Sequence, residues 1–240
     1  MEKLIAGASE LGLSLTPVQL EQFQVYYREL VVWNRRTNLT AITGYEDVQL
    51  RHFLDSLSIA TAVGEWLDQG ERCRVLDVGS GAGLPGLPLK IAFPAIRLVL
   101  LDSVAKKTSF LLHLTELLRL EGVEIVTGRA EELAHREDYR EASDVVLSRA
   151  VAPLSTLLEL TLPFCHVGGV FVAQKKGKVD LEVEAAARAV TILGGNLREV
   201  KPIELESLPD GRYLVVVDKV TPSPLRYPRR TGVPARRPLL

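Results

Sequence analysis

Residues Val75-Leu76-Asp77-Val78-Gly79-Ser80-Gly81-Ala82-Gly83-Leu84-Pro85-Gly86 end an apolar run in three glycines at alternate positions, and a helical spacing follows. Glycine turns sharply and lets a ligand approach the backbone closely. Alone, such a loop suits a packing turn as well as a ligand. Two acids narrow the chemistry. Asp102 closes the next apolar run, 19 residues after Gly83, where doubly wound folds place a carboxylate on the hydroxyls of an adenosine ribose. Asp77 stands two residues before the first glycine. In a nicotinamide-binding fold that region underlies the phosphates and is usually apolar, whereas a ligand with an ammonium group and no pyrophosphate can use an acid there. The pair points to S-adenosylmethionine, with a dinucleotide or a glycine turn needed only for packing as the alternatives.

Later loops at the same sheet edge complete the pocket, since ligands in such sheets bind beyond the strand ends. Gly128-Arg129-Ala130-Glu131-Glu132 follows the third apolar run. There the backbone of Ala130 and the side chain of Glu131 are placed to hold an adenine ring, while Glu132 suits a helix N-terminus that favours negative charge. The fourth run ends in Ser148-Arg149-Ala150, with Arg149 placed for the methionine part of the cofactor or for a nucleotide. That loop carries neither the Asn/Asp-Pro-Pro-Tyr of exocyclic-amine methylation nor a nucleophilic cysteine. Cys73 and Cys165 are solitary and far apart, so neither a disulfide framework nor a metal site is expected.

The elements that must position these residues read as α/β. Thr16, Pro17 and Gln19 form a capping box ahead of a helix over about 17–35, with Leu20, Phe23, Tyr27, Leu30 and Val31 on its apolar face. A second helix is expected over 47–63, burying Val48, Leu50, Leu54, Leu57 and Ile59. After Gly70, apolar strands at 74–78, 97–101, 123–126, 144–147, 169–173, 197–205 and 213–217 alternate with helices at 87–93, 105–120, 154–163 and 180–193. That order predicts a Rossmann-like, mostly parallel seven-stranded sheet covered on both faces. Pro209-Asp210-Gly211 predicts a closing hairpin that makes the last strand antiparallel. The expected organisation is an N-terminal helical segment (1–70), a catalytic domain (71–220) and a Pro/Arg-rich tail (221–240) whose prolines forbid helix.

Composition is that of an ordinary globular protein, 240 residues with 47% hydrophobic and 25% charged. The N-terminus lacks the basic start and apolar core of a signal peptide, and no apolar run is long enough to span a bilayer. A cytoplasmic protein without membrane contact is expected, and monomer is the default. The net charge of −1 hides an asymmetry, because residues 219–240 carry +6 and no acid. Such a tail suits a polyanion or a solvated terminus.

The sequence resembles the bacterial small-subunit ribosomal RNA guanine-N7 methyltransferases over nearly its whole length. The resemblance lies in Trp33-Asn34 with Asn38-Leu39-Thr40, in Arg51-His52-Phe53-Leu54-Asp55-Ser56, and in the glycine loop from Asp77 to Gly86. Leu101-Asp102-Ser103 with Lys106-Lys107, Ser148-Arg149-Ala150 and Tyr227-Pro228-Arg229-Arg230-Thr231-Gly232-Val233-Pro234 complete it. It implies a class I methyltransferase fold and methyl transfer from S-adenosylmethionine to N7 of one guanine in the decoding-region loop of 16S rRNA, in the small subunit or its assembly intermediate. S-adenosylhomocysteine is then the product. By position, Gly79, Leu84, the Asp102-Ser103-Val104 turn, Ala130, Glu131 and Arg149 become cofactor contacts, joined by Asp77, Gly81 and Gly83 from the loop itself. Two departures are visible, Gln174-Lys175-Lys176-Gly177 for the family's Leu-Lys-Gly and Arg236 for its terminal lysine.

Guanine N7 carries an in-plane lone pair and no proton, so the chemistry needs alignment rather than a base. Candidate phosphate contacts are Arg35, Arg36, Arg51, His52, Lys175, Lys176, Arg229, Arg230, Arg236 and Arg237; each alone suits a solvated surface better, and His52 a packing role equally well, but their clustering at loops on the active edge favours RNA. Asn38 and Arg149 are the candidates for positioning the base. A NAD-dependent oxidoreductase, a small-molecule methyltransferase and a non-catalytic RNA-binding scaffold are the competing readings.

Overall fold

The computed structural model describes residues 1–149, 152–208 and 211–239. Seven strands form one sheet: β1 (Arg74–Val78), β2 (Arg97–Asp102), β3 (Val123–Thr127), β4 (Ser143–Arg149), β5 (Cys165–Lys176), β6 (Gly195–Ile203) and β7 (Arg212–Lys219). Their order is β3-β2-β1-β4-β5-β7-β6. β7 runs antiparallel to both neighbours, and the other pairs are parallel. The strand order reverses between β1 and β4, which opens a crevice above the carboxyl ends of these strands.

The N-terminal helices α1 (Glu2–Glu10) and α2 (Pro17–Thr37) cover one face of the sheet together with α6 (Gly86–Ala92) and α7 (Ala105–Leu117). A short α8 (Ala130–Leu133) follows β3, and α9 (Leu154–Thr161) and α10 (Asp180–Ile192) cover the other face. Phe23, Tyr26, Leu30 and Leu54 share one apolar cluster with Val75, Leu87, Leu100 and Phe110. The helical segment therefore packs into the core of the sheet. The Thr16 capping box forms as expected, with Gln19 N–H donating to Thr16 Oγ1 and Thr16 N–H to Gln19 Oε1.

Three expectations are corrected. The single helix over 47–63 is broken into α3 (Tyr45–Val48), a π-helical turn (Gln49–Leu54), α4 (Asp55–Leu57) and α5 (Ala60–Leu67), which bends at Val63. Apolar spacing missed this because polar residues are buried there too. Ser56 and Ser58 donate their hydroxyls to the carbonyls of His52 and Asp55 at 2.6 Å, competing for acceptors along the helix. The prolines of the tail do not forbid helix throughout: α11 (Val233–Arg236) is a helical turn with Pro234 in its first turn, where no N–H is needed. The connection from β6 to β7 spans 204–211, longer than the turn expected, and Pro209 and Asp210 lie outside the described residues.

Candidate active site

A cavity of about 450 Å³ sits at the reversal point, lined by Val78, Gly79, Ser80, Gly81, Ala82 and Leu84 from the glycine loop. Asp102, Ser103, Val104 and Lys107 line it after β2, Gly128 to Glu131 after β3, and Arg149 at the end of β4. Leu39, Thr40 and His52 of the helical segment close its far side. Ala150, the third residue of the β4 motif, lies outside the described residues.

Asp102 organises the crevice. Its Oδ2 accepts the Gly81 N–H and its Oδ1 the Val104 N–H, each at 2.9 Å, so one carboxylate clamps the loops after β1 and β2. Lys107 stands 3.9 Å away. The glycine loop is buttressed from the helical segment. Gly83 has φ +89°, and a Cβ there would lie 2.5 Å from Leu87 Cδ1 and 2.9 Å from the Tyr26 hydroxyl. That hydroxyl donates to the Ala82 carbonyl at 2.5 Å. The sequence reading places Tyr27 rather than Tyr26 on the apolar face of this helix, and the structure buries Tyr26 instead.

Two loop residues stand elsewhere than expected. Gly83 packs behind the loop rather than lining the cavity, and Asp77 lies beneath it, fully buried. Strand side chains alternate in direction. Val75 and Asp77 therefore face α6, while Val78 reaches the cavity. Asp77 Oδ2 accepts the Gly86 N–H at 2.9 Å and so fixes the start of α6, and Oδ1 has no hydrogen-bond partner among the described residues.

Burial pushes the Asp77 carboxyl up to about 7, against the pull of the Gly86 N–H and of Arg149. An unfolded chain titrates it near 3.8. Between those values the folded protein holds a proton that the unfolded chain has lost, so this group makes stability fall as pH rises, by at most about 1.4 kcal/mol per unit. His52, pushed down to about 4 by burial and by Arg149, opposes this from there up to its ordinary 6.5. Asp77→Asn, which carries no proton to release, is therefore expected to gain stability relative to wild type between about pH 5 and about pH 8. Urea unfolding of both proteins at the two pH values checks this, and a constant difference would mean that Asp77 does not titrate in the window.

His52, expected among the RNA contacts, lines the cavity instead. Its Nδ1 lies 3.0 Å from the Arg51 carbonyl and its Nε2 2.7 Å from Thr40 Oγ1. In the neutral ring Nδ1–H donates to the carbonyl and Nε2 accepts the threonine hydroxyl. Asn38 caps α2 in a left-handed conformation, φ 49°, and does not line the cavity, whereas the next two residues do. Asn34 holds that turn, exchanging hydrogen bonds with the Thr40 N–H and carbonyl at 2.9 Å.

Among the remaining basic candidates, the structure corrects two. Arg229 is committed to the buried Glu159 through Nε and NH2, at 2.9 and 2.6 Å. Lys175 donates to Glu182 at 2.7 Å and to the Ala152 carbonyl at 2.9 Å. Loop position alone does not reveal such partners. Arg35, Arg36, Lys176, Arg230, Arg236 and Arg237 are exposed, as is Arg51, which pairs with Asp47 at 3.3 Å. The tail lies against the segment that follows β3. Gly232 N–H donates to Glu131 Oε1 at 2.9 Å, and the Pro228 carbonyl lies 2.8 Å from His135 Nε2.

The donor set fits S-adenosylmethionine, with a ribose-competent carboxylate at Asp102, a close backbone approach at Gly79 and Gly81, and a cation at Arg149 at the opposite end. A family model described as GidB, rRNA small subunit methyltransferase G, matches residues 19–208. The ribosomal RNA small subunit methyltransferase G of Dehalococcoides mccartyi (strain CBDB1) is 53% identical over the full length of both chains. That of Bacillus subtilis (strain 168) is 41% identical over 239 residues, covering all of this chain and 98% of the relative. The crystal structure of precorrin-6y C5,15-methyltransferase from Geobacter metallireducens GS-15 shares the fold, with TM-score 0.50 at 16% identity over 67% of this chain and 87% of that one. With a family-model match along most of its length and relatives aligned end to end, this chain belongs to the rRNA small subunit methyltransferase G family and is one of its S-adenosylmethionine-dependent enzymes.

Proposed function

We propose that the enzyme methylates N7 of one guanine in the decoding-region loop of 16S rRNA, within the small subunit or its assembly intermediate, acting as a cytoplasmic monomer. Among the described residues no helix is long and apolar enough to cross a membrane. The observation that carries N7 over a protonated amine is His52, the one imidazole among the described cavity residues. Both its nitrogens are engaged and burial keeps it neutral. An acceptor that must lose a proton would need a free base there, and N7 has no proton to lose.

Bound S-adenosylmethionine supplies an activated methyl on a sulfonium. The chain's part is to hold donor and acceptor in line and to exclude water, an effect that can supply roughly 7–11 kcal/mol. Asp102 takes the ribose hydroxyls, with the Ser103-Val104 turn beside it. Ala130 and Glu131 take the adenine, Gly79, Gly81 and Leu84 shape the floor, and Arg149 takes the amino-acid end. Leu39, Thr40 and His52 face the incoming base. Exposed Arg35, Arg36, Arg51, Lys176, Arg230, Arg236 and Arg237 supply phosphate contacts.

Labelled S-adenosylmethionine incubated with undermodified small subunits, and separately with free rRNA, tests this. The expected result is label at a single guanine that strand cleavage directed at N7-methylguanine maps to the decoding-region loop. Label resistant to that cleavage would remove N7 as the acceptor. Cofactor binding with neither RNA labelled would remove the rRNA site.

A further inference from the structure

Asp55 lies outside the cavity, where it joins four parts of the fold. It stands where the π-helical turn passes into α4, with its side chain 3% exposed. Oδ2 accepts Arg149 NH1 at 3.2 Å and Arg212 NH1 at 2.8 Å, arginines from the ends of β4 and β7. Its main-chain carbonyl accepts Gln174 Nε2 of β5 at 2.6 Å. One carboxylate thus holds two guanidinium groups, and of the two arginines only Arg149 lines the cavity.

The sheet order settles which end of a ligand meets Arg149. From β3 through β2 and β1 to β4, the crevice runs from Ala130 and Glu131 past Asp102 and the glycine loop to Arg149. The cation thus lies farthest from the adenine loop, where an extended ligand held at its ribose by Asp102 would place its amino-acid carboxylate. Arg149 NH1 is occupied by Asp55 and by the Arg51 carbonyl at 3.3 Å. NH2, 3.5 Å from His52 Nδ1, and Nε remain as the edge available to an anion. A guanidinium fixed in this way has already lost its rotamer freedom before the ligand arrives.

We infer that Asp55 is a positioning residue for cofactor binding, which aims the guanidinium of Arg149 at the amino-acid carboxylate of S-adenosylmethionine. This rests on Arg149 being the contact to that carboxylate. Asp55 appears in a sequence motif but carries no role there, because its effect passes through an arginine 94 residues away.

The test compares two ligands by calorimetry: S-adenosylhomocysteine, which has the carboxylate, and 5′-methylthioadenosine, which lacks the whole amino-acid end. Asp55→Asn is measured beside Asp55→Asn/Arg212→Met, which removes one guanidinium together with the carboxylate in case the single variant does not fold. Arg212→Met alone is the reference for the double. Both Asp55 variants are expected to weaken S-adenosylhomocysteine by about tenfold or more, the scale of a lost hydrogen bond to a charged group, and to leave 5′-methylthioadenosine unchanged. Arg149→Ala should do the same. Equal losses for both ligands in the Asp55 variants would make Asp55 a packing residue and overturn the proposal. So would selective weakening by Arg149→Ala with none by the Asp55 variants. If Arg149→Ala leaves S-adenosylhomocysteine unaffected, its assignment to the carboxylate falls first and the proposal falls with it.

Discussion

Replacing Asp102 with alanine is expected to weaken S-adenosylhomocysteine binding by roughly 10² to 10⁴. Two hydrogen bonds from ribose hydroxyls to a carboxylate are worth about 3 to 6 kcal/mol together, and about 1.4 kcal/mol is a factor of ten. The side chain is 7% exposed, at the cavity wall, and both oxygens already accept loop N–H groups. It therefore meets the ligand pre-aligned. Alanine removes the ribose acceptor and unclamps Gly81 from Val104. Asp102→Asn keeps one acceptor oxygen for one of those N–H groups and turns a donor toward the other, so its loss should be intermediate. Calorimetry with circular dichroism on each variant checks the pair. A loss below about tenfold in Asp102→Ala, with the fold intact, would mean that the carboxylate serves only the loops.

This residue shows how far the sequence reaches. Asp102 was legible because a strand end, a glycine turn and a following helix are local features whose spacing fixes where a side chain emerges. The same locality gave β1, the glycine loop and the alternation of strands with helices. Asp77 was half legible: its position marks the end of β1, but strand parity turns the side chain away from the ligand and toward the Gly86 N–H. His52 lines the cavity from within a broken, partly π-helical run over 45–67, and Thr40 from the turn that Asn34 holds after α2. No apolar period announces that break, since its stabilising contacts are side-chain hydrogen bonds to main-chain carbonyls and a carboxylate paired with arginines 94 and 157 residues away. Contacts of that range depend on the sheet order, which a single chain read along its length does not display.

The tail arginines carry the sharpest contrast, and Arg229→Ala is expected to cost about 3 to 5 kcal/mol of stability, the scale of breaking a buried ion pair. Glu159 on α9 is fully buried, and Arg229 supplies its main-chain N–H at 2.8 Å as well as the guanidinium. Removing the guanidinium strands a carboxylate in the core with one N–H donor from Arg229 remaining. The opposite deletion is gentler, because the Arg229 side chain is 28% exposed and can turn toward water. Glu159→Ala should therefore destabilise less than Arg229→Ala, although the same pair is broken. Neutralising the stranded group in Arg229→Ala/Glu159→Gln should recover part of the loss, since an uncharged amide costs less to bury than a carboxylate. Denaturant unfolding of the three variants reads this order directly. A phosphate contact gives a different pattern, with Arg229→Ala near wild-type stability, weaker RNA binding at low salt, and no recovery from Glu159→Gln. If the ion-pair order is found, the +6 of residues 219–240 divides in two. Arg229 locks the segment onto α9 beside the adenine loop, which leaves Arg230, Arg236 and Arg237 exposed on a fixed surface rather than on a solvated tether, and a rigid array of that kind meets RNA phosphates without first losing the entropy of a free chain.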